Sequence, residues 1–319
     1  MKSSLRRAKD VLTLPLLAGV RATQPLPGVQ RFLLAGVLAS LKCWYHLPGN
    51  RVRKTIGNFC RVVGRDDPSG VFAESVEKLR CAAGMYGELM RHGPERLVDR
   101  VEFDADILAH CEAAKEEHGG GIIVMPHCIG AVPVAAGFAR RFPSLLLVTE
   151  SRSVLRSELV RRCFDKMQVE VAYVRRHDPA AAARSILRAL HERKFVIGTT
   201  DLLRRTKDSV EVRMFGQPAH LPAWPARFSA RRKAPIIPGF VHLDGERILP
   251  SVGAPYIEQD AVVATQRWAG FFEENFRRYP SEWIFLYEKR WSALIAQAAQ
   301  TLPGPASVAS QEDVSARRS

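Results

Sequence analysis

The stretch GGGIIVMPHCIG, residues 119–130, decides the fold of this 319-residue chain. Its apolar run, residues 122–125, is continuous, as is typical of a strand covered on both faces. Glycines precede the run, and His127 follows where the strand should end. A strand that is covered on both faces needs a layer of helices on each side. The stretch therefore predicts a buried, parallel strand in an α/β protein.

The neighbouring sequence alternates between strands and helices in the same way. We predict strands at SLLLVT (144–149), VEVAYV (169–174) and KFVIGTT (194–200), separated by helices at about 154–166 and at 178–193. Further along, VEVRMF (210–215) is an edge strand or hairpin arm, and an amphipathic helix covers 265–279. The expected fold class is α/β, a layered fold with a largely parallel central sheet flanked by helices and preceded by an N-terminal amphipathic helical arm.

Three polar side chains stand just past three of these strands. His127 follows the first strand, Glu150 the second, and Asp201 the strand at 194–200. Parallel strands present their carboxyl ends at one edge of a sheet, and ligands bind in the crevice outside that edge. If the three strands are parallel, these side chains share a functional site.

The N-terminal region is basic and apolar. Residues 1–62 hold eleven Lys and Arg residues against one acidic residue, Asp10. The apolar runs VLTLPLLAGV (11–20) and FLLAGVLASL (32–41) are shorter than the roughly 20 residues that cross a bilayer. We predict that residues 1–66 are an arm that lies on an anionic membrane surface; amphipathic helices that cover the core are the alternative. Residues 67–295 would form the core domain, and 296–319 a disordered tail.

Charge and cysteine content narrow the function classes. The net charge of +14 alone suggests nucleic acid, but no basic-aromatic binding module accompanies it, so we expect no nucleic-acid partner. The six cysteines form no CxxC pair and have no zinc-like spacing with histidines. We therefore expect reduced thiols, no metal site and a cytosol-facing protein.

Five blocks, in order, resemble one known family. They are GNRVRKTIGNF (49–59), GGGIIVMPH (119–127), VIGTTDLL (196–203), the long block 210–240 with its Phe-Gly pair, and RRYPSEWIFLYEKRW (277–291). Together they resemble the bacterial lipid A biosynthesis (lauroyl/myristoyl) acyltransferases of the lysophospholipid acyltransferase superfamily. The mycobacterial phosphatidylinositol mannoside acyltransferases are also similar.

The resemblance implies transfer of a fatty acyl chain from a thioester to a hydroxyl of a lipid or glycolipid. The family motif is a histidine, four residues, and an Asp or Glu. A neutral imidazole takes the proton of the attacking hydroxyl, and the carboxylate holds the ring in one tautomer. His127 matches the histidine, but Val132 stands where the acid is expected.

Another acid could orient His127. Asp201 matches a family aspartate and is the first choice; Glu150 is the second. A histidine that acts alone, or an inactive site, remains the alternative. Asp201 could instead cap a helix or pair with Arg204 or Arg205.

Further residues are candidates for substrate binding. Arg152 resembles a family arginine that would contact a phosphate or a thioester carrier, and Arg204 and Arg205 could meet a lipid headgroup. Phe215 and Gly216 are also candidates for substrate binding, although Gly216 permits a tight turn as well. The apolar strand that follows them could form one wall of an acyl tunnel. For each residue, a solvated or structural role is the alternative.

The resemblance also implies the partners and the location. The acyl donor is an acyl carrier protein or coenzyme A thioester, the acceptor is a membrane lipid, and no cofactor is needed. We expect a peripheral or monotopic protein at the cytoplasmic face of an inner membrane. The competing hypothesis is a catalytically degenerate relative, with Val132 in place of the acid, which binds lipid or partners an active enzyme.

Overall fold

The computed structural model describes residues 27–150, 154–174 and 178–302. Eight strands are seen there: β1 (Ile122–Met125), β2 (Ser144–Thr149), β3 (Val171–Val174), β4 (Phe195–Thr199), β5 (Ser209–Met214), β6 (Gln217–Pro222), β7 (Ile236–Asp244) and β8 (Arg247–Val252). Six of them form one sheet in the order β3-β2-β4-β1-β7-β8. Its first five strands run parallel, and β8 is antiparallel to β7. The predicted α/β class is confirmed.

Helices cover the sheet and precede it. They are α1 (Pro27–Tyr45), α2 (Arg51–Val63), α3 (Pro68–His92), the single turn α4 (Glu95–Val98), α5 (Ala105–His118), α6 (Ala131–Ala139), α7 (Val154–Met167), α8 (Pro179–His191), α9 (Trp224–Arg232), α10 (Ala261–Arg278) and α11 (Lys289–Thr301). Two 3-10 turns, Pro280–Glu282 and Ile284–Tyr287, join α10 to α11.

The segment predicted as an edge strand or hairpin arm is a hairpin arm. β5 pairs with β6 in a separate two-stranded sheet. Phe215 and Gly216 form the connection, with φ of 52° and 74°. Two-residue hairpin loops favour positive φ at both positions because the resulting twist matches that of the strands. The Phe-Gly pair of the sequence is therefore the turn of a hairpin.

The boundary predicted at residue 66 lies inside the folded domain. Helix α2 packs against α11, and its side chains Ile56 and Phe59 are fully buried. Asn50 caps this helix by accepting hydrogen bonds from the backbone N–H groups of Val52 and Arg53. Basic character had suggested a surface arm for the whole of 1–66, but the apolar face of α2 is part of the core.

The core domain also extends beyond residue 295. Helix α11 continues to Thr301, because Ala298 and Ala299 on its inner face are buried. Their small size gives little hydrophobic signal in the sequence, so the start of the predicted tail was placed too early. Residues 303–319 lie outside the described residues.

Helix α1 leaves apolar side chains exposed. Phe32 is 78% exposed, and Leu33 and Val37 are each 50% exposed. Across the described ranges, no helix is both long enough and apolar enough to span a bilayer. The first apolar run predicted in the arm, residues 11–20, lies outside the described residues.

Candidate active site

The strand order brings two of the three predicted polar residues together. Strand β4 pairs with β1 on one side and with β2 on the other, all in parallel. His127 follows β1 and Asp201 follows β4, so they extend from neighbouring strands about 4.8 Å apart. Glu150 follows β2, on the far side of β4. The sheet therefore favours Asp201 as the partner of His127.

A short hydrogen bond joins His127 to Asp201. The ring Nδ1 lies 2.5 Å from Asp201 Oδ1, and the backbone N–H of His127 donates to Asp201 Oδ2 at 3.1 Å. Asp201 is 1% exposed, whereas the His127 side chain is 28% exposed. A buried carboxylate thus fixes an imidazole that solvent and substrate can reach. This is the arrangement that orients a histidine base.

Two tryptophans donate hydrogen bonds to Asp201. The indole N–H of Trp283 donates to Asp201 Oδ2 at 3.0 Å, and that of Trp291 donates to the Asp201 backbone oxygen at 2.7 Å. Both indoles are buried, and a buried indole N–H usually finds a hydrogen-bond partner. The tryptophans therefore pack the core and orient the carboxylate at the same time.

The other ring nitrogen and one ring face of His127 are also occupied. Thr199 Oγ1 lies 3.1 Å from Nε2. The Phe285 ring stacks on the imidazole, with 3.8 Å between centroids and 16° between planes. The backbone N–H of Ile284 donates to the His127 carbonyl at 3.0 Å. The imidazole thus has a defined orientation.

Glu150 has a different partner. Its carboxylate accepts a hydrogen bond from Arg161 Nη2 at 2.7 Å, and its backbone N–H pairs with the carbonyl of Val174. Arg161 also lies over the ring of Tyr173. These contacts tie Glu150 to α7 and β3. A catalytic role for Glu150 stays a prediction, and its surroundings do not favour it.

Val132 lies on the first turn of α6 and packs against the hydrophobic core. Val132 therefore has a packing role and supplies no carboxylate to the site.

Cys128, the neighbour of His127, is 4% exposed. Burial, and then the nearby Glu282 carboxylate, raise the pKa of the Cys128 thiol well above its ordinary value. The nucleophilic thiolate is thereby disfavoured at neutral pH. This thiol is a poor candidate for a covalent acyl carrier.

The predicted substrate-binding residues are spread out. Arg204 and Arg205 follow Asp201 on the loop to β5; the first is half-buried and the second is exposed. Phe215 is buried, and its ring lies near those of Phe59, Phe276 and Trp283. With Gly216 in the turn, these contacts favour a structural role. Arg152 lies outside the described residues.

No group of three or more His, Cys, Asp or Glu side chains that could hold a metal occurs in the described part of the chain.

Sequence reasoning missed Thr199 and the role of the two tryptophans. Thr199 and Asp201 are two positions apart, and side chains two apart on an extended chain share one side. That Thr-x-Asp spacing was the available signal. For Trp283 and Trp291, the signal was the indole N–H, since a core aromatic with a donor usually bonds to an acceptor.

The fold and the site define an α/β protein with a histidine–carboxylate pair at the carboxyl ends of parallel strands. A family model for the bacterial lipid A biosynthesis acyltransferases matches residues 58–292, which is most of the chain. The chain belongs to this family, as the sequence blocks predicted. The family carries out acyl transfer in lipid A biosynthesis. A search of curated proteins found no match.

Proposed function

We propose that this protein is an active acyltransferase that moves a fatty acyl chain from an acyl carrier protein or coenzyme A thioester to a hydroxyl of a lipid or glycolipid. The observation that carries the proposal is the 2.5 Å contact between His127 Nδ1 and Asp201 Oδ1. It supplies the orienting carboxylate that Val132 cannot. The dyad of this chain is therefore His127–Asp201.

The chemistry needs a base at Nε2. When Nδ1 donates its proton to Asp201, Nε2 is left as a hydrogen-bond acceptor that can take a hydroxyl proton during attack on the thioester carbonyl. Asp201 stabilises the imidazolium that forms. Helix α6 begins shortly after His127 in the sequence. Backbone N–H groups at its start would stabilise the oxyanion that forms from the thioester carbonyl. The thiol of the donor leaves.

An apolar cleft beside the site supports acyl-chain binding. It has a volume of about 200 Å³. Its lining includes Leu41 and Trp44 of α1, Ile129 just after the base, and Ile284, whose N–H binds the His127 carbonyl. The apolar strand after Phe215 and Gly216, for which the sequence suggested a place in the wall of an acyl tunnel, is β7. The cavity that β7 lines has a volume of only about 30 Å³. The larger cleft is the better acyl site because apolar chains bind in apolar concavities.

The exposed apolar residues of α1 support attachment to a membrane. Phe32, Leu33 and Val37 lie in a helix whose flanking sequence is basic. Such a segment suits the headgroup region of an anionic bilayer. We infer a peripheral or monotopic protein at the cytoplasmic face of the inner membrane, where a lipid acceptor would be available.

Acyl transfer by the purified full chain tests the proposal. Labelled acyl chains should move from an acyl thioester to a lipid A precursor, and His127→Ala should lower the rate by about 100-fold or more. Circular dichroism and thermal unfolding should show that the variant is folded. Full activity in folded His127→Ala would rule out the assigned base.

Val132 motivates the alternative function, a degenerate relative that binds lipid without turnover. Val132→Glu separates the two readings. With Asp201 as the acid, the extra carboxylate brings no gain, and rates should stay equal or fall because α6 loses an apolar contact. A gain from no activity to measurable activity would support the degenerate reading.

A further inference from the structure

The ring of Phe285 covers one face of the His127 imidazole. The two ring centroids are 3.8 Å apart and the ring planes differ by 16°, so the rings are nearly parallel. Asp201 meets the same imidazole at its edge, where Nδ1 lies 2.5 Å from the carboxylate oxygen Oδ1. The base therefore has a carboxylate at one edge of its ring and a phenyl ring on one face.

Backbone contacts hold the Phe285 ring in this place. The backbone N–H of Ile284 donates to the His127 carbonyl at 3.0 Å, and Trp283 forms an antiparallel bridge with Cys128. Ile284 and Trp283 immediately precede Phe285, so the chain that carries the phenyl ring runs beside the chain that carries the base. The stacking of the two rings is thus fixed by the backbone as well as by side-chain packing.

The charge of the imidazole changes during the reaction that we propose. The base is neutral before attack and becomes an imidazolium when it takes the hydroxyl proton. The face of an aromatic ring carries the negative part of its quadrupole and attracts a cation within about 6 Å of its centroid. The 3.8 Å between the two centroids is well inside that range. The attraction is therefore stronger in the transition state than in the ground state, which is the condition for a faster reaction.

We propose that Phe285 is a positioning residue that acts through His127 and stabilises the imidazolium formed during transfer; the inference rests on the function proposed above. The proton moves from the lipid hydroxyl to Nε2, and no bond to Phe285 forms. Loss of the negative ring face should slow the chemical step by about 3- to 10-fold, the size of one cation–π contact. Substrate binding should change little, because Phe285 is not among the residues that line the apolar cleft.

Fluorination of the Phe285 ring tests its charge and not its shape. Fluorine withdraws electron density from the ring face and changes the size of the ring little. The full chain is prepared with mono-, di- or trifluorophenylalanine at position 285, and transfer from lauroyl-coenzyme A to a lipid A precursor is measured. We expect kcat to fall with each added fluorine, by about 3- to 10-fold for the trifluoro ring, while KM stays within about twofold.

Two ordinary variants and one control site complete the series. Phe285→Trp should keep kcat, because indole is the best aromatic face for a cation, whereas Phe285→Leu should lower kcat about 10-fold. Trifluorophenylalanine at position 138 is the matched control. Phe138 is buried and packs against the neutral rings of Phe103, Phe142 and Phe195. Its fluorination should leave kcat unchanged.

A reaction of the imidazole itself gives a readout that does not require acyl transfer. Diethyl pyrocarbonate modifies a neutral imidazole nitrogen, and positive charge develops on the ring as the new bond forms. Modification of His127, followed by peptide mass spectrometry, should slow by about 3-fold in the protein with the trifluoro ring at position 285. His220 is the internal reference, because its side chain is 25% exposed, close to the 28% of His127, and its ion-pair partner is Glu211. The rate at His220 should not change.

The outcomes separate this inference from the proposed function. In a protein that transfers acyl chains, an unchanged kcat on fluorination of Phe285 overturns its role and leaves His127 and Asp201 as the catalytic pair. Slower modification of His127 in a protein that transfers no acyl chain supports the role of Phe285 and contradicts the proposed function. Equal losses of kcat in Phe285→Trp and Phe285→Leu, with no effect of fluorination, would mean that the ring only packs, and this also overturns the inference.

Discussion

The imidazole of His127 is held at both nitrogens and on one face, so its chemistry depends on which atom receives each bond. Asp201 accepts from Nδ1, and this selects the tautomer with a free lone pair on Nε2. An amide in place of the carboxylate could donate to Nδ1 instead of accepting. The ring proton would then move to Nε2, and the base would be lost.

Asp201→Asn is therefore expected to lower kcat by about 10³–10⁴-fold, since the shape is kept but the tautomer is wrong. Steady-state acyl transfer is the measurement, with thermal unfolding to show that the variant folds. Glu150→Gln is the control, because Glu150 pairs with Arg161 and should change kcat only a few-fold. A larger loss in the Glu150 variant would reverse the assignment of the two acids.

At the scale of elements, the segment of 3-10 turns before α11 contacts the active site through Trp283. Trp283 stacks on Phe276, with 4.1 Å between centroids, and donates to Asp201. Trp283→Phe keeps most of the stacking and removes the donor. We expect kcat to fall about 10-fold with little change in KM, because a hydrogen bond to a charged group is lost.

The matched control for that change is Trp268→Phe. Trp268 belongs to α10 and is also fully buried, but its indole N–H has no hydrogen-bond partner among the residues that the structure describes. Its substitution should alter stability without altering kcat. Equal kcat losses in the two variants would mean that packing, and not the donor, explains the effect.

The same turn is anchored to α3 by a buried ion pair. Lys78 donates to Glu282, whose carboxylate also accepts from the backbone N–H of Leu243 at 2.6 Å. Glu282 is fully buried, and burial raises its pKa despite the nearby Lys78 ammonium. Loss of the Lys78 ammonium would leave this buried carboxylate without the cation that pairs with it, which is costly.

Lys78→Met should lower the free energy of unfolding by about 3–5 kcal/mol near neutral pH. Because the folded-state pKa of Glu282 is raised, its protonated form favours the folded state below the unfolded-state pKa, and this advantage is lost as pH rises through the folded-state pKa. Removal of the Lys78 ammonium, which lowers the pKa of Glu282, should raise that pKa further, so the deficit of the variant should grow in denaturant titrations as pH rises through the folded-state pKa of the unaltered protein. Arg80→Met, which removes an exposed pair with Glu77, should cost less than about 1 kcal/mol across the same titrations.

Strand positions were predictable from the sequence, but strand order was not. Continuous apolar runs identified β1, β2 and β4, and polar residues after each indicated the active edge. Whether Asp201 or Glu150 meets His127 depends on which strand lies beside β1. That choice comes from pairing between distant segments, and local apolar patterns carry no information about it. Thr199 was missed for a similar reason, since threonine is ordinary in a strand and only the register brings it to Nε2.

At the scale of the whole molecule, α1 connects the outer surface with the active site. Leu33, Val37, Leu41 and Trp44 recur at steps of four, four and three, which is one stripe of a helix. The first two are exposed, and the last two line the apolar cleft next to Ile284 and the base. A lipid at the membrane interface could thus approach His127 along a continuous apolar surface.

Charge on this stripe should detach the protein from membranes. Leu33→Asp with Val37→Asp puts two carboxylates where apolar side chains would enter the headgroup region, so binding to phosphatidylglycerol vesicles should fall about 10-fold or more in co-sedimentation.

The control is Val262→Asp with Val263→Asp on α10, where the original side chains are 47% and 53% exposed, close to the 50% of Leu33 and Val37. Because both double variants add the same charge at equally exposed apolar positions, a difference between them reports location and not net charge. Equal vesicle binding by the two double variants would show that α1 is not the surface that meets the bilayer.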